Sequence, residues 1–244
     1  MCGRYTQLMS WRELVELYNL TNVDFRPNLP ARYNLAPTQD APIVRLSEDG
    51  GRVLAIARWG LIPAWAKERS VGARMINARS EEVAAKPAFR AAYRQRRCLV
   101  PASGFFEWQD AGPGGKGAPK QPYYITLADG APMTFAGLWG RWRDPADGQV
   151  VESYTILTTE ANALLRPIHA KHRMPVILDA AAFDLWLDPG RGDPTGGDAT
   201  SLLRPYPADG MSATPVSTAV NKAWDSKLKQ PIDHPGLIEP LAVA

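Results

Sequence analysis

Cys2 lies directly after Met1 and before Gly3-Arg4-Tyr5. Initiator methionine is normally removed when the next residue is small, so the mature chain is expected to begin at Cys2. Its α-amine would then have a pKa of about 7.7–8.0 and its thiol one of about 8.5. Amine and thiol on adjacent carbons form a trap for aldehydes. The amine condenses to an iminium, the thiolate adds to it, and a five-membered thiazolidine closes. With Met1 retained, the nitrogen is an amide and only a reversible thiohemiacetal can form. A frayed terminus without a role is the alternative.

Three further groups could serve that chemistry. In the run Arg97-Cys98-Leu99-Val100-Pro101-Ala102-Ser103-Gly104-Phe105-Phe106-Glu107-Trp108, strand, turn and strand follow one another. Glu107 is flanked by Phe106 and Trp108; desolvation between them would raise its pKa toward general-base use, whereas a salt-bridged structural carboxylate is the alternative. Cys98, followed by an apolar run, reads as core. In Met75-Ile76-Asn77-Ala78-Arg79-Ser80-Glu81, Asn77 offers a donor and an acceptor. Arg79 has the fork that grips a phosphate, or pairs with Glu81 or Glu82. Ile168-His169-Ala170-Lys171-His172-Arg173-Met174-Pro175 holds two of the three histidines. The cations beside them favour the neutral imidazole, suited to shuttling protons. Trp65, in the turn Pro63-Ala64-Trp65, either presents its ring to a base or packs into the core. Cysteines and histidines lack zinc-like spacing, so no metal and no cofactor are expected.

These residues need a scaffold. Ser10 with Glu13 is a capping box ahead of Leu14, Val15, Leu17 and Tyr18, which predicts a helix over about 11–19. Pro-rich loops follow through Pro27, Pro30 and Pro37. Asp49-Gly50-Gly51 parts two apolar runs, 43–46 and 53–59, as a hairpin. Segments 80–85 and 87–93 read as helical, and 98–100, 105–108, 123–127, 133–139 and 154–158 as strands. Residues 111–121 and 188–200 are Gly/Pro-rich loops, with a short helix at 180–187 between the last strand and the second loop. Strands and helices do not alternate long enough for a doubly wound sheet. There is no internal repeat and no linker. The expected fold is α+β: a single domain over 1–244 with an antiparallel, barrel-like β core and flanking helices.

The chain has 244 residues, 45% of them hydrophobic and 22% charged, ordinary globular usage that excludes a disordered or fibrous chain. No apolar run is long enough for a membrane helix and no signal peptide is evident, so a cytoplasmic protein is expected. The net charge of +3 is unevenly placed: residues 1–110 carry 16 Lys/Arg against 11 Asp/Glu. Lys86, Arg90, Arg94 and Arg97 are spaced for one helix face, a stripe that suits a phosphate backbone or is simply solvated.

Taken in order, several of these segments resemble the SRAP (SOS response-associated peptidase) family of abasic-site processing proteins. The matches are Cys2-Gly3-Arg4-Tyr5, Arg32-Tyr33-Asn34-Leu35-Ala36-Pro37, Trp59-Gly60-Leu61-Ile62-Pro63, Asn77-Ala78-Arg79-Ser80-Glu81, Gly104-Phe105-Phe106-Glu107-Trp108, Ile168-His169 with Arg173-Met174-Pro175, and Pro215-Val216-Ser217 leading to Val220-Asn221. They span about residues 2–221 and leave 222–244 as a tail. The resemblance implies that Cys2 bonds covalently to the ring-opened aldehyde of an abasic site in single-stranded DNA. It further implies that Glu107 deprotonates or positions the Cys2 amine, His169 moves protons and Asn77 orients the opened sugar. Arg4 and Arg79, with Lys86 and Arg90 of the basic stripe, would hold phosphates, and Pro37 and Trp65 would pack on bases. Three residues separate His169 from Arg173 where the family commonly has one, so His172 stands as an alternative shuttle.

The implied protein is a cytoplasmic monomer, nucleoid-associated when bound to DNA, with crosslinking or lyase-like chemistry and a peptidase activity that could amount to self-removal of Met1. Two rivals stand beside it. One is an N-terminal-nucleophile amidohydrolase or glutamine amidotransferase. The other is a single-stranded DNA-binding module with no covalent step.

Overall fold

The computed structural model describes residues 2–110, 120–191 and 198–241. In chain order its first elements are β1 (Tyr5–Gln7), α1 (Trp11–Tyr18), β2 (Arg32–Leu35), β3 (Asp40–Leu46), β4 (Arg52–Trp59), β5 (Asn77–Arg79) and α2 (Arg90–Gln95). Then come β6 (Arg97–Ala102), β7 (Gly104–Gln109), β8 (Gln121–Leu127), β9 (Met133–Arg143), β10 (Val150–Glu160), β11 (Arg173–Pro175), α3 (Phe183–Leu187) and β12 (Met211–Pro215). The capping box at α1 is present: Ser10 N donates to Glu13 Oε2 at 2.7 Å, and Glu13 N to Ser10 Oγ. Asn19 ends the helix at φ 50°, a left-handed position that Asn tolerates well.

Strands β10, β4, β3, β6 and β9 hydrogen-bond in that order, and β9 pairs back to β10, closing a five-stranded barrel. A second antiparallel sheet runs β12-β8-β7-β1-β2. The barrel-like α+β expectation therefore holds, with one change in strand sense: β4 and β5 both pair with β10 in parallel, so the barrel is mixed. Side chains alternate through its wall. Ile43, Ala57, Cys98, Val100, Phe135, Tyr154 and Ile156 join an inner core, together with Tyr5, Phe105 and Ile125 of the second sheet. Val44, Leu54, Leu99, Leu138 and Leu157 point outward, where α1, α2 and α3 cover them with Tyr18, Tyr93 and Trp186.

Several local expectations change. Residues 80–85 form turns, because Pro87 follows closely and no apolar face repeats there. The Pro-rich region contains β2, and Gln121 already belongs to β8; residues 111–119 of the expected loop lie outside the described residues, as do 192–197 of the second. The basic stripe does not form. Helix α2 spans only Arg90–Gln95, and Arg97 starts β6, buried, with its guanidinium over the Trp186 ring and bonded to Asp188 O. Lys86 pairs with Glu82, and Arg90 is exposed on the outside of the barrel.

The connection from β4 to β5 depends on two glycines. Gly60 (φ 123°) and Gly72 pack backbone to backbone, and a Cβ on Gly72 would meet Gly60 O at 2.5 Å. This contact closes the loop bearing Trp65 and sets where β5 begins. Gly72→Ala should destabilise the fold by about 1–3 kcal/mol, as overpacking does. Gly140→Ala, whose Cβ would touch only the end of Leu61 at 3.2 Å, should lose less. Denaturant titration of the two variants checks the ranking.

Candidate active site

Cys2 is fully buried at the entrance to β1. Its thiol lies 3.6 Å from Arg4 O, and its carbonyl accepts a hydrogen bond from Asn77 Nδ2 at 2.8 Å. Asn77 arrives there because β5 runs parallel to β10, with Asn77 opposite Ile156. Ile76 just before it is pinned through its carbonyl, which accepts from Trp59 Nε1 at 2.9 Å and Ile156 N at 3.1 Å.

Glu107 comes from β7, which pairs with β1 in the register Tyr5↔Phe105. Extending that antiparallel register sets Glu107 opposite Gly3, next to Cys2. Phe106 and Trp108 do not desolvate it, contrary to expectation: a strand turns successive side chains to opposite faces, and those rings join a separate cluster with Tyr124 and Val216. Glu107 is buried on the other face, which it shares with Phe105 and the inner core.

His169 closes the group, its Nε2 lying 3.5 Å from Glu107 Oε2. The backbone N–H groups of Lys171 and Arg173 donate to its Nδ1 at 3.1 and 3.2 Å. Nδ1 is thereby an acceptor, and the ring proton belongs on Nε2, facing Glu107. Lys171, within the segment between His169 and Arg173, supplies one of those donors. His172, at φ 50°, is exposed and turns its Nδ1 toward Arg166 O at 3.0 Å, away from Glu107. Cys2, Asn77, Glu107 and His169 are thus brought together, and His172 is not.

Burial controls the charges. It raises Glu107 to about 8, offset in part by a backbone hydrogen bond at Trp108. It lowers His169 to about 4, with His172, Lys171 and Lys120 adding to the effect. At neutral pH the pair is therefore uncharged rather than an ion pair. Burial, and then the Glu107 carboxylate, push the Cys2 thiol far above its usual range. Among the described residues, Asn77 Oδ1 and Glu107 Oε1 are buried with no hydrogen-bond partner; with Glu107 protonated and Oε2 facing the His169 Nε2–H, Oε1 offers a donor and Asn77 Oδ1 an acceptor.

The other expected contacts are spread more widely. Arg4 is partly buried and its Nη1 donates to Val220 O at 2.8 Å and Asn34 Oδ1 at 3.3 Å. Pro37 is half-buried, Trp65 is 61% exposed, and Arg79 is exposed and faces Glu82 at 3.5 Å. Lys86 and Arg90 lie across the barrel wall from the inner core that holds Cys2. Two features escaped the sequence reading. Tyr5 and Tyr154 share a buried hydroxyl–hydroxyl hydrogen bond of 2.6 Å next to Trp59. Arg173 forks onto Glu81 at 2.6 and 2.9 Å, tying the His169 turn to the end of β5. Tyr at inward strand positions was the available signal for the first; nothing in the spacing marked the second.

The fold and site define a single-domain α+β barrel protein whose second residue is a cysteine facing a buried carboxylate–imidazole pair. The chain belongs to the SOS response associated peptidase (SRAP) family, whose model matches residues 1–223. It is 39% identical over 222 residues to the abasic site processing protein YoqW of Bacillus subtilis, covering 91% of this chain and 94% of that one. The abasic site processing protein HMCES of Xenopus tropicalis is 34% identical over 220 residues, 78% of this chain and 62% of its own. A crystal structure of a Bacteroides thetaiotaomicron protein superposes with a TM-score of 0.81 at 28% identity, covering 98% of this chain and all of that one.

Two titration outcomes follow. Nitrogen-15 spectra should show His169 as the Nε2–H tautomer at pH 7, with no protonation until the pH falls below about 5. A mixed tautomer would contradict the backbone clamp. Glu107 keeps its proton in the folded state after the unfolded chain has lost it, so its contribution to stability falls as pH rises from about 4.5 to about 8. His169 acts with the opposite sign between about 4 and 6.5, so of this pair only Glu107 contributes above 6.5. Glu107→Gln should therefore gain stability over the parent between pH 6.5 and 8, by at most about 1.4 kcal/mol per pH unit. Denaturation midpoints across that range test it.

Proposed function

We propose that this protein captures abasic sites in single-stranded DNA by forming a thiazolidine between Cys2, freed of Met1, and the ring-opened aldehyde. The observation that carries the reading is the convergence of Asn77, Glu107 and His169, from three distant chain segments, on residue 2. Curated relatives named as abasic site processing proteins support the substrate class.

The protonation states favour an amine-first path. The thiol is held protonated by burial, whereas an α-amine has a pKa of about 7.7–8.0, close to that of Glu107. Proton exchange between ammonium and carboxylate is then nearly balanced in energy. The neutral amine adds to the aldehyde carbon, and the carbinolamine loses water to give an iminium. The thiol adds to that carbon and gives up its proton to the basic groups of the site, closing the ring. The net change is one water released, and reversal requires one water returned. Glu107, protonated near neutrality, gives its proton to the ring oxygen as the furanose opens and takes one back from the hydroxyl that becomes the aldehyde, while His169 keeps its Nε2 proton and holds the carboxyl in place. Asn77 orients the opened sugar with its free Oδ1. Arg4 and Arg79 meet flanking phosphates, while Pro37 and Trp65 pack against neighbouring bases.

A thiolate-first amidohydrolase is served poorly by a thiol whose pKa burial raises. Peptide cleavage, in this reading, is confined to removal of Met1.

The test is a denaturing gel of the protein, its loss of Met1 confirmed by mass, with an abasic single-stranded oligonucleotide. A shifted band should form, disappear with Cys2→Ala and be absent on intact DNA. No band from the Met1-free protein would overturn the proposal; glutaminase activity without DNA would favour the amidohydrolase. Glu107→Gln should slow band formation by on the order of 100-fold while intact-strand binding is kept.

A further inference from the structure

Beyond the last family-matched residue, the chain makes a small hairpin in which Trp224–Asp225 pairs with Gln230–Pro231. Its exposed side chains are unusual for a surface turn. Trp224 is 54% and Leu228 65% exposed, and Lys222, Lys227 and Lys229 of the same segment are exposed as well. Lys229 sits at φ 52°, where glycine or asparagine is sterically easier. The nearby carboxylates are already engaged. Asp225 Oδ1 accepts from Lys227 N and Leu228 N, and Asp233 binds Arg32 together with Tyr33 N and Asn34 N.

The hairpin is firmly mounted beside the candidate site. The buried Asn34 donates from one Nδ2 to Lys222 O at 3.0 Å and to Ile232 O at 2.9 Å, gripping both ends of the hairpin. The same side chain accepts from Arg4 Nη1, and the Arg4 carbonyl lies against the Cys2 thiol. One asparagine thus connects the hairpin to the residue two places from Cys2. An exposed ring and three exposed lysines in one short segment on a fixed mount match what a single strand offers, unstacked bases with a phosphate at each step.

Resting on the single-strand reading above, we infer that residues 222–231 form a second nucleic-acid subsite that takes the strand running away from Cys2. Trp224 stacks on a base, and Lys222, Lys227 and Lys229 meet phosphates. The occupant is nucleic acid rather than protein because the cations outnumber the free carboxylates on the hairpin.

The experiment measures anisotropy of short and long fluorescein-labelled oligothymidylates, without abasic sites, across a salt titration. Lys222→Ala/Lys227→Ala/Lys229→Ala should lower the magnitude of the log–log salt slope on the long strand by about 2, at about 0.7 per phosphate contact. Trp224→Ala should weaken binding at least about fivefold, and Trp224→Phe should restore most of it. Circular dichroism of each variant checks folding. Unchanged slope and affinity, or no binding of long strands by the parent protein, would overturn the subsite. Intact strands carry no aldehyde, so a hairpin effect without crosslinking would overturn only the capture reading. Crosslinking without a hairpin effect would overturn only the subsite.

Discussion

Strand β10 imposes the constraint on which the rest of the structure depends. It is eleven residues long and largely buried, so the N–H and C=O groups along both of its edges must find partners inside the protein. One edge is taken first by β9 and then by β11; the other by β4 and then by β5. The handover between β4 and β5 puts Asn77 level with Ile156. The handover between β9 and β11 puts Arg173 level with Glu160, and so brings the His169 turn to the same end of the barrel. Residues about ninety positions apart become neighbours because one buried strand has two edges to satisfy.

Within that frame, desolvation does the electrostatic tuning. A carboxyl and an imidazole 3.5 Å apart would attract strongly if both were charged, yet burial drives both toward neutrality. The neutral pair leaves Glu107 with a proton affinity close to that of an α-amine and leaves His169 with its proton on Nε2. Two backbone N–H groups fix that tautomer more rigidly than a side-chain partner would, since neither has rotamers to lose. The thiol, by contrast, is kept protonated by the same burial.

The start and end of the fold are joined by contacts across about two hundred residues. Asp233 and Asn34 together hold the segment after Val220 against β2, and Arg4 reaches Val220 O from the strand beside Cys2. A polar network of this kind is stable only when nearly every group is satisfied. Here Asn34 uses both its donor and its acceptor. That fixes Arg4 in a partly buried position instead of leaving it a free surface cation.

Much of the local structure was legible in the sequence because it follows from short-range rules. The capping box, the Asp49-Gly50-Gly51 hairpin and the strands over 98–160 are written in spacing and turn chemistry, and the chemical types at Cys2, Asn77, Glu107 and His169 are evident from the residues alone. Period and direction were harder. The basic stripe assumed one helix through 86–97, but the chain leaves the helix at Gln95 and buries Arg97 in a strand. The neighbours Phe106 and Trp108 suggest a desolvated Glu107, but a strand turns them to the opposite face, and the desolvation comes from the inner core instead. Short strands such as β1, β5 and β11 have no signal of their own, since three residues become a strand only when a partner edge is offered. The sequence by itself determined which functional groups exist and which segments are stiff. The tertiary structure decided which groups meet, how far each is removed from water and which histidine faces Glu107, because pairing and burial depend on neighbours remote in the chain.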